Sequence, residues 1–185
     1  MGPSDVTELL RDRGRRLESA LDSFMKDSGR ELDEARAALT GGTVFLCGNG
    51  GSAALAAHLE AELIGRYRSD RRPLPALYLG LSAPSSTAIG NDFGDAQAFA
   101  RPLRALARSG DSLLAISTSG TSSNVVSALG AARELGLRSV LLTGPHAPDG
   151  GADVVLRFPG ERTDFVQDGH QLIVHTLMDA LEARL

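Results

Sequence analysis

A single cysteine, Cys47, stands in the 185 residues, so no disulfide can close within the chain. It sits inside an apolar run, which fits a reducing compartment, and the expected location is the cytoplasm. No apolar stretch approaches the roughly 18 residues that a transmembrane helix needs. The opening MGPSDVTELLRDRGRR mixes acids with bases and has no continuous hydrophobic stretch, which argues against a signal peptide. Lysine is nearly missing: Lys26 is the only one among 19 basic residues, which face 23 acidic ones for a net charge of −4. That balance offers no broad cationic surface, so neither nucleic acid nor a membrane is expected as a partner. Internal repeats, low-complexity tracts and linkers are absent as well.

What remains is an ordinary globular composition, 42% apolar and 23% charged. A chain of this length buries on the order of 70% of its unfolded surface and needs no metal or disulfide staple to fold. From Val6 to Leu39 the apolar residues recur at spacings of three, four and seven, the period of a helix. Gly29 suggests a break, giving two helices at about 4–27 and 30–40. This N-terminal extension, residues 1–40, has an apolar stripe that must pack on the remaining domain, residues 41–185, or on a second copy of the chain.

Beyond Gly41-Gly42 the pattern changes. Thr43–Cys47, Ala76–Leu81, Ser112–Ser117, Ser139–Thr143 and Asp153–Phe158 are short apolar runs of the kind found in buried parallel strands. Helical patterns fill the gaps at Ser52–Gly65, Ala96–Arg108, Ser122–Leu135 and Asp164–Leu185, with Ser52 as the first N-cap. Strands alternating with helices predict an α/β domain with a parallel sheet covered on both faces.

Two loops stand in equivalent places between a strand and a helix. Gly48-Asn49-Gly50-Gly51-Ser52 lets the backbone approach a ligand, and Ser117-Thr118-Ser119-Gly120-Thr121-Ser122 adds hydroxyls to helix-start amides without any lysine or arginine. That chemistry suits a small phosphate monoester, although either loop alone is equally an ordinary turn. Neither is a Walker A motif. Gly48-x-Gly50-x-x-Ala53 matches the dinucleotide fingerprint, but the second strand ends Tyr78-Leu79-Gly80-Leu81-Ser82 without the carboxylate that a dinucleotide site requires.

A few polar residues interrupt apolar helices. His58 and Glu62, four apart, share one face of a helix and read as a surface pair, two metal ligands, or a base with its partner. Glu60, on another face, reads as solvated. Gln167 and His175 lie two turns apart on one side of the last helix, and His175 is equally a satisfied core histidine. His146 and His170 read as solvated, and Gly90-Asn91-Asp92-Phe93-Gly94 as a loop turn.

Taken in order, these segments resemble the phosphoheptose isomerases of the sugar isomerase (SIS) family. The residues that carry the likeness are Gly48-Asn49-Gly50-Gly51-Ser52, His58-x-x-x-Glu62-Leu63-x-Gly65-Arg66-Tyr67, Asn91-Asp92-Phe93-Gly94, Ile116-Ser117-Thr118-Ser119-Gly120, Gln167-Asp168-x-His170 and His175. The likeness runs from about Val6 to the C-terminus. It implies a flavodoxin-like doubly wound parallel sheet with N-terminal helices, assembled as a homotetramer. It also implies conversion of sedoheptulose 7-phosphate to D-glycero-manno-heptose 7-phosphate, whose product would feed heptose assembly. By position, Asn49, Gly50, Gly51, Ser52, Asn91, Asp92 and Gln167 would contact the sugar phosphate. Ser117, Thr118, Ser119 and Ser122 would hold its phosphate. Glu62 would act as base and His175 as acid, and His58, Glu62, Gln167 and His175 would hold one zinc ion per subunit, loosely because glutamine is a weak ligand. Gly169 departs from an ideal helix start by about 1 kcal/mol relative to alanine.

The residues support such chemistry in their own right, because moving a carbonyl between neighbouring carbons needs a base at one carbon and an acid at the other. Two competing readings share the fold. One is a non-catalytic sugar-phosphate sensor or tetrameric scaffold, which needs no acid–base pair. The other is a SIS isomerase for six-carbon or amino sugars.

Overall fold

β-Branched and leucine-rich runs bounded by glycine form the centre of the molecule. The computed structural model describes residues 5–80 and 82–184. Its strands are β1 (Val44–Gly48), β2 (Ala76–Tyr78), β3 (Ser112–Ser117), β4 (Arg138–Thr143) and β5 (Val154–Arg157). They form one sheet in the order β2-β1-β3-β4-β5, parallel throughout. This is the doubly wound, flavodoxin-like arrangement, with its switch point between β1 and β3. Ser4, Leu81 and Leu185, expected at the ends of a helix, a strand and a helix, lie outside the described residues.

Successive side chains of a strand point to opposite faces, so each strand feeds two cores. Leu46, Leu114, Ile116, Leu142 and Leu156 face helices α1 (Val6–Ala38), α2 (Gly51–Ile64) and α6 (Thr163–Glu182). Phe45, Cys47, Leu113, Ala115 and Leu141 face α4 (Ala100–Leu106) and α5 (Ser123–Glu134). Burial pushes the Cys47 thiol up to about 12, so it is an inert core group.

Four local expectations are corrected. The N-terminal segment is one helix of 33 residues running through Gly29. A helical glycine costs only about 1 kcal/mol, and packing on both sides of it, through Phe24, Ser28, Ala35 and Ala38, outweighs that. Its start is capped by Asp5, which accepts from the Thr7 amide at 2.9 Å. Gly90–Gly94 is not a loop: residues 90–93 are the last turn of α3 (Ala83–Phe93), and Gly94 ends it with φ +81°. α3 begins at the Ser82 cap with a proline in its first turn, and none of its residues is buried, so it has no apolar stripe to reveal it. The helix expected at Ala96–Arg108 is a 3₁₀ turn at Asp95–Gln97 followed by the shorter α4. Glu60 is not simply solvated, since its carboxylate accepts from the Tyr78 amide at 3.0 Å and ties α2 to β2.

α1 packs on α6 and β5, and leaves Val6, Leu9, Leu10 and Met25 exposed. α6 lies over β4 and beside α2. Gly169 permits this approach: a Cβ there would stand 2.2 Å from ring atoms of the buried Phe158. Helix propensity favours alanine at this position, but the ring cannot move within a packed core. Gly169→Ala is therefore expected to lower stability by about 1–3 kcal/mol, read as a lower midpoint of urea unfolding. An equal or higher midpoint would contradict the assigned packing.

Candidate active site

β1 and β3 pair in register, Gly48 opposite Ile116, so the chain leaves both strands at the same level of the sheet. The glycine loop after β1 leads into α2, and the serine loop after β3 leads into α5. Ser52 is not the cap expected for α2: Gly50 takes that place with φ +56°, which glycine adopts without strain, and Ser52 is buried in the first turn. Neither Gly50 nor Ser122, the cap of α5, makes a side-chain capping bond. Two helix N-termini thus converge on one space, each attracting negative charge.

That space is a cavity of about 330 Å³ lined by Asn49, Gly50, Gly51 and Ser52 from one loop and Ser117, Thr118, Ser119 and Ser122 from the other, closed by Ile116, Thr163 and Gln167. No lysine or arginine lines it. Asn49 and Asn124 join the loops, each amide donating to the other's oxygen at 2.9 Å. Ser117 Oγ lies 3.4 Å from Ser122 Oγ and accepts from the Gly120 amide at 3.2 Å. Hydroxyls and amides without a cation give a neutral anion cradle, suited to a terminal phosphate in a small ligand.

α6 brings the second group. Gln167 lies against Gly51, where a Cβ would come within 2.5 Å of its amide nitrogen. Farther along the same two helices, His58 Nε2 stands 3.0 Å from His175 Nε2, and Glu62 Oε1 lies 3.8 Å from His58 Nε2. The Tyr67 ring packs on His175 with centroids 5.9 Å apart. Asn91 and Asp92 are exposed at the end of α3, hydrogen-bonded to each other at 2.8 Å, and do not line the cradle.

Three participants escaped the sequence reading. The Gln171 amide nitrogen lies 2.8 Å from His175 Nε2; its i,i+4 spacing to His175 was an available signal. Asn124 carried none, since its partner is 75 residues away. Arg13 of α1 reaches the first turn of α6, donating to Asp168 at 2.5 Å, to the Asp164 carboxylate at 2.8 Å and to its carbonyl at 3.1 Å. Arg13, with Arg162, holds the Asp164 carboxyl down at about 2. Arg13 and Gln167 also line a neighbouring cavity of about 430 Å³ that shares Gly51 and Ser52 with the cradle.

Two imidazoles and a carboxylate are donors that zinc uses at catalytic centres, and here His58, His175 and Glu62 converge. Among the described residues they form no ready-made cage. The amide bonded to His175 is that of Gln171, not that of Gln167.

The expectation for His170 is overturned, whereas His146 is exposed as read. His170 is fully buried and its Nε2 lies 3.1 Å from the Thr143 carbonyl oxygen. A carbonyl can only accept, so Nε2 carries the proton. Burial lowers the imidazole to about 4, against the opposing hydrogen bond to Thr143.

These features define a class, a doubly wound α/β protein with a neutral anion cradle beside a cluster of two histidines and a carboxylate. Comparison with known proteins narrows it. The family profile described as SIS domain matches residues 19–144. The phosphoheptose isomerase of Geotalea daltonii is 46% identical over 175 residues, covering 87% of this chain and 90% of that protein. That of Halorhodospira halophila is 39% identical over 191 residues, covering 97% and 94%. The solved phosphoheptose isomerase of Neisseria gonorrhoeae superposes with a TM-score of 0.84 at 33% identity, covering 97% of this chain and all (100%) of that one. The chain belongs to the SIS domain family, and it is a sugar-phosphate isomerase.

One consequence concerns pH. Unfolded His170 takes up a proton near 6.5, while the folded residue refuses it down to about 4. Stability is therefore complete above about 6.5 and is lost as pH falls from there towards 4. Urea unfolding at pH 7 and pH 5 is expected to show this decline, and His170→Gln should flatten it. Parallel declines in both proteins would contradict a buried neutral His170.

Proposed function

We propose that this enzyme is a phosphoheptose isomerase that interconverts sedoheptulose 7-phosphate and D-glycero-manno-heptose 7-phosphate through an enediol. One observation carries the reading: α2 and α6 bear the cradle at one level, through Gly51 and Gln167, and the acid–base cluster at another, through His58, Glu62 and His175. Gly51 and His58 are seven residues apart, about 10 Å along the helix. A sugar chain anchored by its terminal phosphate in the cradle then extends its far end, where the carbonyl lies, to the cluster. The names of the relatives support the seven-carbon sugar.

In this mechanism the loop amides and the hydroxyls of Ser117, Thr118, Ser119 and Ser122 hold the phosphate. Asn49, Ser52 and Gln167 orient the sugar, and Asn91 and Asp92 enter as contacts on the family resemblance alone. Glu62 removes a proton from C1 of the ketose. The C–H electrons form the C1–C2 double bond, and the carbonyl oxygen at C2 takes a proton from His175. His175 then recovers a proton from the hydroxyl at C1, and protonated Glu62 returns its proton to C2, leaving an aldehyde at C1. Both groups end as they began. His58 holds His175 in place from α2, and Tyr67 covers its ring. Zinc held by His58, Glu62 and His175 would supply Lewis-acid polarisation of the sugar oxygens, and the Gln167 amide enters as a weak fourth donor on the family resemblance alone.

The exposed apolar residues Val6, Leu10 and Met25 of α1 support self-assembly. The tetramer follows from the resemblance, and the cytoplasmic location from the single cysteine in its apolar run.

The test is NMR detection of the aldoheptose 7-phosphate from sedoheptulose 7-phosphate, with protein as purified, after chelation, and with zinc restored. Conversion is expected, slowed by chelation and recovered with zinc. No conversion by folded protein in any state would overturn the heptose assignment. Glu62→Gln and His175→Ala are each expected to lower kcat by about 100-fold or more, and near-normal turnover would remove that residue from the mechanism. Ser119→Ala is expected to raise KM with little change in kcat, and an unchanged KM would count against the cradle.

A further inference from the structure

A phosphate held only by amides and hydroxyls has no long-range charge to find it, so the loop that presents them must be held in place before it binds. The root of the serine loop is the end of β3, and its support comes from β4 and α6. The Ser117 carbonyl accepts from Thr143 Oγ1 at 2.5 Å and from the Gly120 amide at 3.2 Å. The Thr143 carbonyl in turn accepts from the Phe158 amide at 2.9 Å, and His170 Nε2 lies 3.1 Å from it. The next residue, Gly144, donates to the Thr118 carbonyl at 3.1 Å, and a Cβ on it would come within 2.5 Å of that oxygen. Thr143 and His170 have no exposed surface, and Ser117 retains 5%.

A buried hydroxyl must place its one proton on an acceptor, and this one lies on the carbonyl from which the loop departs. Regular parallel pairing of β3 and β4 ends at Ser117 and Thr143, and the side chain of Thr143 adds a bond to the backbone at that last pair. His170 does the same for Thr143 from α6. The far end of His170 adds nothing that competes, since its buried Nδ1 has no hydrogen-bond partner among the described residues.

We propose that Thr143, itself held by His170, is a positioning residue for the phosphate-binding loop: the relay His170–Thr143–Ser117 sets the height at which Ser117, Ser119 and Ser122 meet the phosphate. The proposal rests on the cradle being the phosphate site. It touches no substrate atom and takes no part in proton transfer. Thr143 therefore affects how tightly the phosphate is held and leaves the chemical step alone.

Thr143→Val keeps the shape and removes the donor, and Thr143→Ser keeps the donor. Both are compared with the unaltered enzyme and with Ser119→Ala by steady-state kinetics and by calorimetric titration with inorganic phosphate alone. The loss of one hydrogen bond's net contribution predicts that Thr143→Val raises KM and the Kd for phosphate together, about threefold to tenfold. Its kcat should stay within about twofold, and Thr143→Ser should restore both constants. If the valine variant does not fold, Thr143→Ala serves in its place with the same expectation. Unchanged KM and Kd, a fall in kcat alone, or a serine variant as impaired as the valine one would each overturn the proposal. If Ser119→Ala raises KM while Thr143→Val does not, the relay fails and the cradle stands. If Ser119→Ala also leaves KM and Kd unchanged, the cradle itself fails.

Discussion

The pairing of β1 with β3 is the constraint on which the site depends. Five residues of β1 lie opposite five of β3, from Val44 beside Ser112 to Gly48 beside Ile116. Because the sheet is parallel and its order reverses here, both chains turn away from the same edge in opposite directions. A slip of one residue would turn the apolar side chains of each strand to the wrong face. It would also separate the two loops, undo the Asn49–Asn124 pair and remove the shared anion cradle. Gly48 belongs to the same constraint: a Cβ there would stand 2.9 Å from the Ser52 backbone and 3.0 Å from the Ile116 oxygen. Gly48 is thus explained by close approach of backbone to backbone.

From that edge the chemistry is distributed by two helices. α2 begins at the cradle and carries His58 and Glu62 away from it; α6 begins at Thr163 beside the cradle and carries Gln167, Gln171 and His175 in the same direction. Their far ends are joined by Arg71, which donates to the Glu62 and Leu63 carbonyls at 2.7 and 2.9 Å and pairs with Glu182 at 3.3 Å. The Arg71 side chain is only 5% exposed, so removing Glu182 alone would leave a buried charge uncompensated. Their near ends meet where Gln167 lies against Gly51, while Arg13 of α1 holds the first turn of α6 and His170 and Thr143 tie α6 to the serine loop. The proposed binding and proton-transfer groups lie at different levels of the same two helices, which allows a change in one to be read without the other.

Much of the architecture was legible because it rests on local patterns. Short apolar runs bounded by glycine give buried parallel strands, and the two loops follow as strand-to-helix turns. α3 escaped because it buries nothing and so shows no periodicity, and Gly29 misled because a propensity cost of about 1 kcal/mol is smaller than what packing supplies. The histidines show the same limit. His58 and His175 stood out by their apolar neighbours, whereas His170, between Gly169 and Gln171, gave no such signal and proved to be a buried neutral group.

The sequence by itself determined the strand order, most of the helices, the two loops and the residue types capable of acid–base chemistry, since each is written in adjacent or helically spaced positions. Only the tertiary structure decided which of them meet. It set His58 against His175 across 117 residues, put Gln171 in bonding distance of His175, left Asn91 and Asp92 apart from the cradle, and showed that Gly169 exists to admit the Phe158 ring. Those contacts are set by the register of strands and the packing of helices on them, and neither is encoded at any single position of the chain.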